Sequence, residues 1–172
     1  MNAVSIVGRL LLAASVLAAA AVQAQAPAPA PPKVGDKLVM PDVQLLDGTR
    51  LSAADFAGKP LVIEYWASWC PYCARQNPHL QKLTEAARDK GLRILTVSID
   101  RDEQAARDYI AKHGYTFGVA MDNEALRAVF GKRRVIPEIF VLDANGKLLE
   151  AIPGEMFEED VLELLRHAPP RS

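Results

Sequence analysis

The stretch Leu61 to Ala67 (Leu-Val-Ile-Glu-Tyr-Trp-Ala) is apolar on both alternating faces except at Glu64, the pattern of a central strand covered by helices on either side. Leu92 to Ile99 predicts a second buried strand. Between them, from Pro71 to about Asp89, Leu80, Leu83 and Ala87 recur at helical spacing. Pro71 suits the first helical position, Gly91 closes the segment, and Pro78 is expected to kink it. Asp102 to His113 reads as a helix ended by Gly114, Phe117 to Met121 as a strand, and Asn123 to Phe130 as a helix capped by Asp122 or Asn123. Glu138 to Leu142 and Lys147 to Ile152 are strands joined by the turn sequence Asp143-Ala144-Asn145-Gly146, and Phe157 to His167 is an amphipathic helix.

Ahead of this core, Val43 to Leu46 and Arg50-Leu51 flank the turn dipeptide Asp47-Gly48, which predicts a short hairpin. Ser52-Ala53-Ala54-Asp55 resembles a weak capping box for one helical turn, closed by Gly58. Strands alternating with helices and then an antiparallel hairpin predict an α/β fold with a central mixed β-sheet, helices on both faces and an N-terminal β-hairpin extension.

The first 26 residues follow a different logic. Arg9 is their only charge, the apolar run Leu10 to Val22 is 13 residues long, and Ala24-Gln25-Ala26 has the small-x-small form of a cleavage site. A membrane span needs about 18 apolar residues, so 1–26 is expected to be a signal peptide and the protein periplasmic. Residues 27–33, rich in proline and alanine, read as a flexible tether, and 34–168 as the folded domain.

Charge and cysteine content narrow the chemistry. With 20 basic and 21 acidic side chains in 172 residues there is no basic excess to neutralise phosphates, so nucleic acid is not an expected partner. Two cysteines cannot staple a small domain or alone complete a four-ligand zinc site. They occur as Cys70-Pro71-Tyr72-Cys73 where the first core strand runs into a helix. Unpaired backbone N–H groups and the positive dipole end there favour a thiolate, making Cys70 the expected nucleophile, exposed, and Cys73 the partly shielded resolving thiol. Pro71 and Tyr72 between them influence the stability of the reduced form.

The run Glu64-Tyr65-Trp66-Ala67-Ser68-Trp69-Cys70-Pro71-Tyr72-Cys73 resembles the thioredoxin active-site strand and helix. Gly58-Lys59-Pro60 ahead of the strand, Pro78 in the helix and an extra helix–strand unit before the final hairpin look like the TlpA/ResA branch of exported thiol-disulfide oxidoreductases. The resemblance covers about Val34 to His167. It implies that Ile136-Pro137 is a cis peptide facing the cysteines and pairing with substrate backbone, with Trp69, Pro71 and Tyr72 contributing to the substrate surface. It also implies that Glu64 is a buried carboxylate beneath Cys73, able to exchange protons with it. A bland alternative pairs Glu64 with Lys59 or another base.

The resemblance implies protein thiol and disulfide substrates, a membrane or periplasmic redox partner, a monomer, and no cofactor beyond the Cys70–Cys73 disulfide. A reductase, for example in cytochrome c maturation, is the first expectation. An oxidase or isomerase is the alternative within the fold. A metal-binding role for Cys70 and Cys73 with His79 has only three ligands in view, and no metal site is expected. A peroxidase of peroxiredoxin type would need proline and threonine or serine where Ile63 and Ala67 stand.

This chain departs from the pattern in places. Glu64 is an acid where many TlpA-like sequences carry an amide, Gln76 an amide where several carry an acid, and Glu138 follows the proline where thioredoxins commonly have threonine. Cys-Pro-Tyr-Cys is itself more often found in glutaredoxins, but the Trp-Ala-Ser-Trp lead-in is not, and no glutathione site is carried over. Lys132-Arg133-Arg134 ahead of the proline reads first as a solvated basic loop, with a secondary reading as charges favouring the Cys70 thiolate or an acidic partner.

Overall fold

The computed structural model describes residues 30–170, so the segment read as a signal peptide and residues 27–29 of the tether lie outside the described residues. A two-stranded antiparallel hairpin, β1 (Val43–Gln44) and β2 (Arg50–Leu51), leads into the single turn α1 (Ala53–Phe56). The Asp55 carboxylate accepts from both the backbone N–H and the hydroxyl of Ser52, as the sequence expects of a capping pair.

The core then runs β3 (Leu61–Trp66), α2 (Pro71–Ala87), β4 (Arg93–Ser98), α3 (Glu103–His113), β5 (Gly118–Met121), α4 (Glu124–Phe130), β6 (Glu138–Leu142), β7 (Leu148–Pro153) and α5 (Glu158–Glu163). The sheet order is β5-β4-β3-β6-β7, with β3, β4 and β5 parallel and β6 and β7 antiparallel to their neighbours. This is the mixed sheet expected from the sequence.

Every residue of β3 is buried, because the strand is central and covered on both faces. Its period of two sends Val62 and Trp66 to one side with Leu80 and Leu83 of α2, Ala106 of α3 and Val161 of α5. Ile63 and Tyr65 point the other way, toward Phe56, Leu126, Phe130 and the hairpin residues Val43 and Leu45. Glu64 shares the parity of Val62 and Trp66, and therefore faces α2.

Two helix ends differ from the expectation, and one turn gains contacts the sequence does not signal. α2 is one continuous α-helix through Pro78 and ends at Ala87, with Gly91 in the left-handed conformation beyond it. The last helix is α-helical only to Glu163 and tightens into a 3-10 turn over Leu164–His167, a common ending for a helix. The hairpin turn before β7 carries an extra strap: Leu38 N–H bonds to the Gly146 carbonyl at 2.8 Å, and Gly35 and Asp36 exchange bonds with Leu148. Among the described residues no helix is long and apolar enough to cross a membrane.

Candidate active site

The register of β3 against β6 places the site. Tyr65 pairs with Glu138, so the residues before β6 lie beside the residues that follow β3. The chain leaving Trp66 turns through Ala67 to Trp69, with Cys70 N–H bonded to the Ala67 carbonyl at 3.2 Å, and enters α2 at once. The chain entering β6 carries Ile136-Pro137, whose peptide bond is cis. The Cys70 Sγ lies 3.7 Å from the Ile136 carbonyl oxygen.

Cys70 is the N-cap of α2 and Pro71 its first residue. The N-terminal N–H groups of a helix have no partner within it, and here Cys73 N–H points at the Cys70 Sγ at 3.4 Å. The two sulfurs are free thiols. The sequence expected an exposed first thiol; Cys70 instead keeps only 4% of its surface, covered by the loop ahead of β6, while Cys73 keeps none. Trp69 and Tyr72 on either side are 66% and 54% exposed and Pro71 is exposed too, so the sulfur sits in an apolar, aromatic rim. Arg75 lies over the Tyr72 ring at 4.8 Å and forms a two-point ion pair with Glu155.

Behind the sulfurs, Glu64 has no exposed surface. Its partner is Gln76, whose Nε2 donates to the Glu64 Oε1 at 3.0 Å, and not the Lys59 of the bland reading. Gln76 is equally buried, and its own Oε1 accepts the backbone N–H of Met156 at 2.6 Å. That second bond fixes the amide, leaving its NH2 as the group that meets the acid. Glu64 Oε2 has no hydrogen-bond partner among the described residues.

Burial pushes the Glu64 carboxyl up to about 8, against the opposing pull of the Gln76 hydrogen bond. Burial also pushes the Cys73 thiol up, and the neighbouring Cys70 sulfur and, more weakly, the Glu64 carboxylate act in the same direction. A thiol and a carboxyl that both resist ionisation stand together on one face of β3 and α2. Such a pair can pass a proton between them without placing two charges in the interior.

Two parts of the site escape sequence reasoning. Asp100, just after β4, accepts from Ser68 N–H at 3.0 Å, Ser68 hydroxyl at 2.8 Å and Ser98 hydroxyl at 2.7 Å, and so ties the loop bearing Trp69 to the neighbouring strand. Its partner lies 32 residues away, and no local pattern signals the pairing. Arg133 contradicts the solvated-loop reading: its side chain is 3% exposed and pairs with Glu138, because an interior acid and two aromatic rings take up its charge. His79 is turned to Glu158, 3.3 Å away. Among the described residues no group of three His, Cys, Asp or Glu side chains is placed to hold a metal ion.

The family model described as Redoxin matches residues 33–165. The chain is 27% identical over 126 residues to the thiol-disulfide oxidoreductase ResA of Bacillus thuringiensis subsp. konkukian (strain 97-27), covering 73% of this chain and 72% of that protein. Among solved structures, a thiol:disulfide interchange protein, thioredoxin family protein, from Chlorobium tepidum TLS aligns with a TM-score of 0.68 at 24% identity over 77% of this chain and 97% of that one. StoA from Bacillus subtilis aligns with a TM-score of 0.63 at 23% identity, over 77% and 98%. These two likenesses establish the thioredoxin-like fold. The chain belongs to the Redoxin family, as a ResA-like thiol-disulfide oxidoreductase.

Proposed function

We propose that the protein is exported and reduces disulfides of other proteins through Cys70 and Cys73. The observation that carries this reading is the arrangement of the pair: Cys70 at a helix N-terminus against the Ile136 carbonyl, with Cys73 buried behind it on the face that holds Glu64. Cys70 thiolate attacks one sulfur of a substrate disulfide; the S–S bond breaks, a mixed disulfide forms, and the other substrate sulfur leaves and takes up a proton. Cys73 then gives its proton to the Glu64 carboxylate and attacks Cys70. The second substrate sulfur leaves and takes up the proton that Glu64 releases, so the substrate gains two electrons and two protons while Cys70 and Cys73 become a disulfide. The electrons reside in that pair, with no further cofactor.

Trp69, Pro71 and Tyr72 provide the apolar rim on which a substrate strand rests, and the Ile136 carbonyl lies against the sulfur. Cys70 Sγ receives one backbone N–H, from Cys73, and no charged donor among the described residues, which supports a couple whose reduced form is not strongly stabilised. Such a couple gives electrons away, and a membrane or periplasmic donor would renew them. Keeping the cysteines of an apocytochrome c reduced is one task that fits. The apolar run of residues 10–22 with its small-x-small ending supports export.

Titration of the purified protein in graded glutathione buffers tests the direction, with free thiols counted by alkylation. A potential near the ~−270 mV of thioredoxin is expected, whereas one near the ~−120 mV of the oxidant DsbA would overturn the reductase reading.

A further inference from the structure

The basic triplet Lys132-Arg133-Arg134 divides on folding: Lys132 and Arg134 are exposed, while the side chain of Arg133 turns inward. Its guanidinium lies 4.7 Å from the Tyr65 ring centre and 4.8 Å from that of Phe140, on the sheet face opposite Glu64. Nη1 donates to the Glu138 carboxylate at 2.6 Å. Nη2 donates to the Phe130 carbonyl and, at 3.1 Å, to the Gly131 carbonyl. One side chain thus binds the end of α4, the residue after it, and the first residue of β6.

The segment it spans carries Ile136, whose carbonyl meets the Cys70 Sγ, and Pro137, whose carbonyl accepts Gly154 N–H at 2.8 Å. A planar guanidinium fork is suited to holding three acceptors in fixed directions, and a lysine ammonium cannot reach them together. Buried ion pairs seldom stabilise a fold more than apolar side chains of similar size would, so the pair at Arg133 and Glu138 calls for a role beyond stability.

We propose that Arg133 is a positioning residue for exchange with protein substrates: by clasping residues 130 and 131 to residue 138, it holds the backbone at Val135-Ile136 at the spacing from Cys70 that an extended substrate strand requires. The proposal deepens the function proposed above and rests on Cys70 being the attacking thiol. It also gives the acid at Glu138 a purpose, as the counter-charge of the clasp. A small disulfide reaches the Cys70 sulfur without lying along that backbone; a protein strand does not.

The test compares insulin, a protein disulfide reduced with dithiothreitol as electron source, with 5,5′-dithiobis(2-nitrobenzoate), a small one, for the unaltered protein, Arg133→Met and Arg133→Lys. In both variants kcat/KM for insulin is expected to fall by about tenfold through a rise in KM, while the rate with the small disulfide stays within about twofold. If Arg133→Met does not fold, Arg133→Lys, which keeps the charge, decides. Insulin turnover at the unaltered rate, or equal losses with both disulfides, would overturn the proposal. Cys70→Ser in the same assays separates the two readings: if it still reacts with both disulfides, the role given to Cys70 fails irrespective of Arg133.

Discussion

Gln76 donates an amide N–H to Glu64 across 3.0 Å, and neither residue has any exposed surface. An amide on the helix and an acid on the strand form a neutral hydrogen-bonded pair when the acid holds its proton. The same contact becomes charge-assisted when the proton leaves. Gln76 therefore moderates an acid that burial alone would hold protonated still more strongly.

The pH dependence of stability follows from that burial. The Glu64 carboxyl is raised from 4.5 to about 8, so its acid form is favoured by the folded state. At acidic pH both states hold the proton and Glu64 carries no penalty. As pH rises from about 4.5 to about 8, the unfolded state ionises first and the folded state loses relative stability, by ~4 kcal/mol across that window. Glu64→Gln lacks this loss. Urea titrations at a series of pH values are expected to show the variant gaining on the unaltered protein between these limits; parallel profiles would contradict the assignment.

Replacing Gln76 with Met removes the hydrogen bond that lowers the Glu64 value while keeping the volume nearly constant. The carboxyl signal of Glu64, followed by carbon NMR with labelled glutamate, is expected to titrate higher by ~1 unit. An unchanged midpoint would show that the amide does not act on the acid. The Met156 N–H is also left without its acceptor, and stability is expected to fall by ~1–3 kcal/mol.

Asp100 tests the support beneath the rim. Asp100→Ala removes three hydrogen bonds that fix Ser68 and Ser98, and is expected to destabilise the protein by ~2–3 kcal/mol. It should also increase the mobility of Trp69, read as a fall in fluorescence anisotropy. Unchanged stability and anisotropy would show that the loop is held by other contacts.

Gly146 tests the strap at the other end of the sheet. It has φ +80°, and a Cβ there would stand 2.4 Å from the Leu38 carbonyl oxygen, to which no flexible side chain could yield. Gly146→Ala is expected to lower stability by ~2 kcal/mol in a chemical denaturation measurement, without altering thiol reactivity.

The strands and helices were readable because their signals are local: β3 is apolar on both faces except at Glu64, β4 is rich in Ile, Leu and Val, and Asp102 and Asn123 cap α3 and α4 through their own side chains. The cysteine pair, its helix and the chain's similarity to thioredoxin-like proteins were readable for the same reason. What the sequence leaves hidden depends on residues far apart along the chain. Gln76 takes its orientation from Met156, 80 residues on. Asp100 reaches back to Ser68, and the three consecutive charges at 132–134 give no sign that the middle one has Tyr65 and Phe140 to lie between. The covering of Cys70 likewise comes from the turn ahead of β6, brought there only by the pairing of Tyr65 with Glu138.

The central claim, that Cys70 attacks and Cys73 resolves, is tested most directly by trapping. Cys73→Ser, mixed with a protein disulfide and analysed by non-reducing mass spectrometry, is expected to accumulate a covalent adduct through Cys70, while Cys70→Ser forms none and exchanges nothing. Turnover by either variant at the unaltered rate, or an adduct carried by Cys73 in Cys70→Ser, would contradict the account.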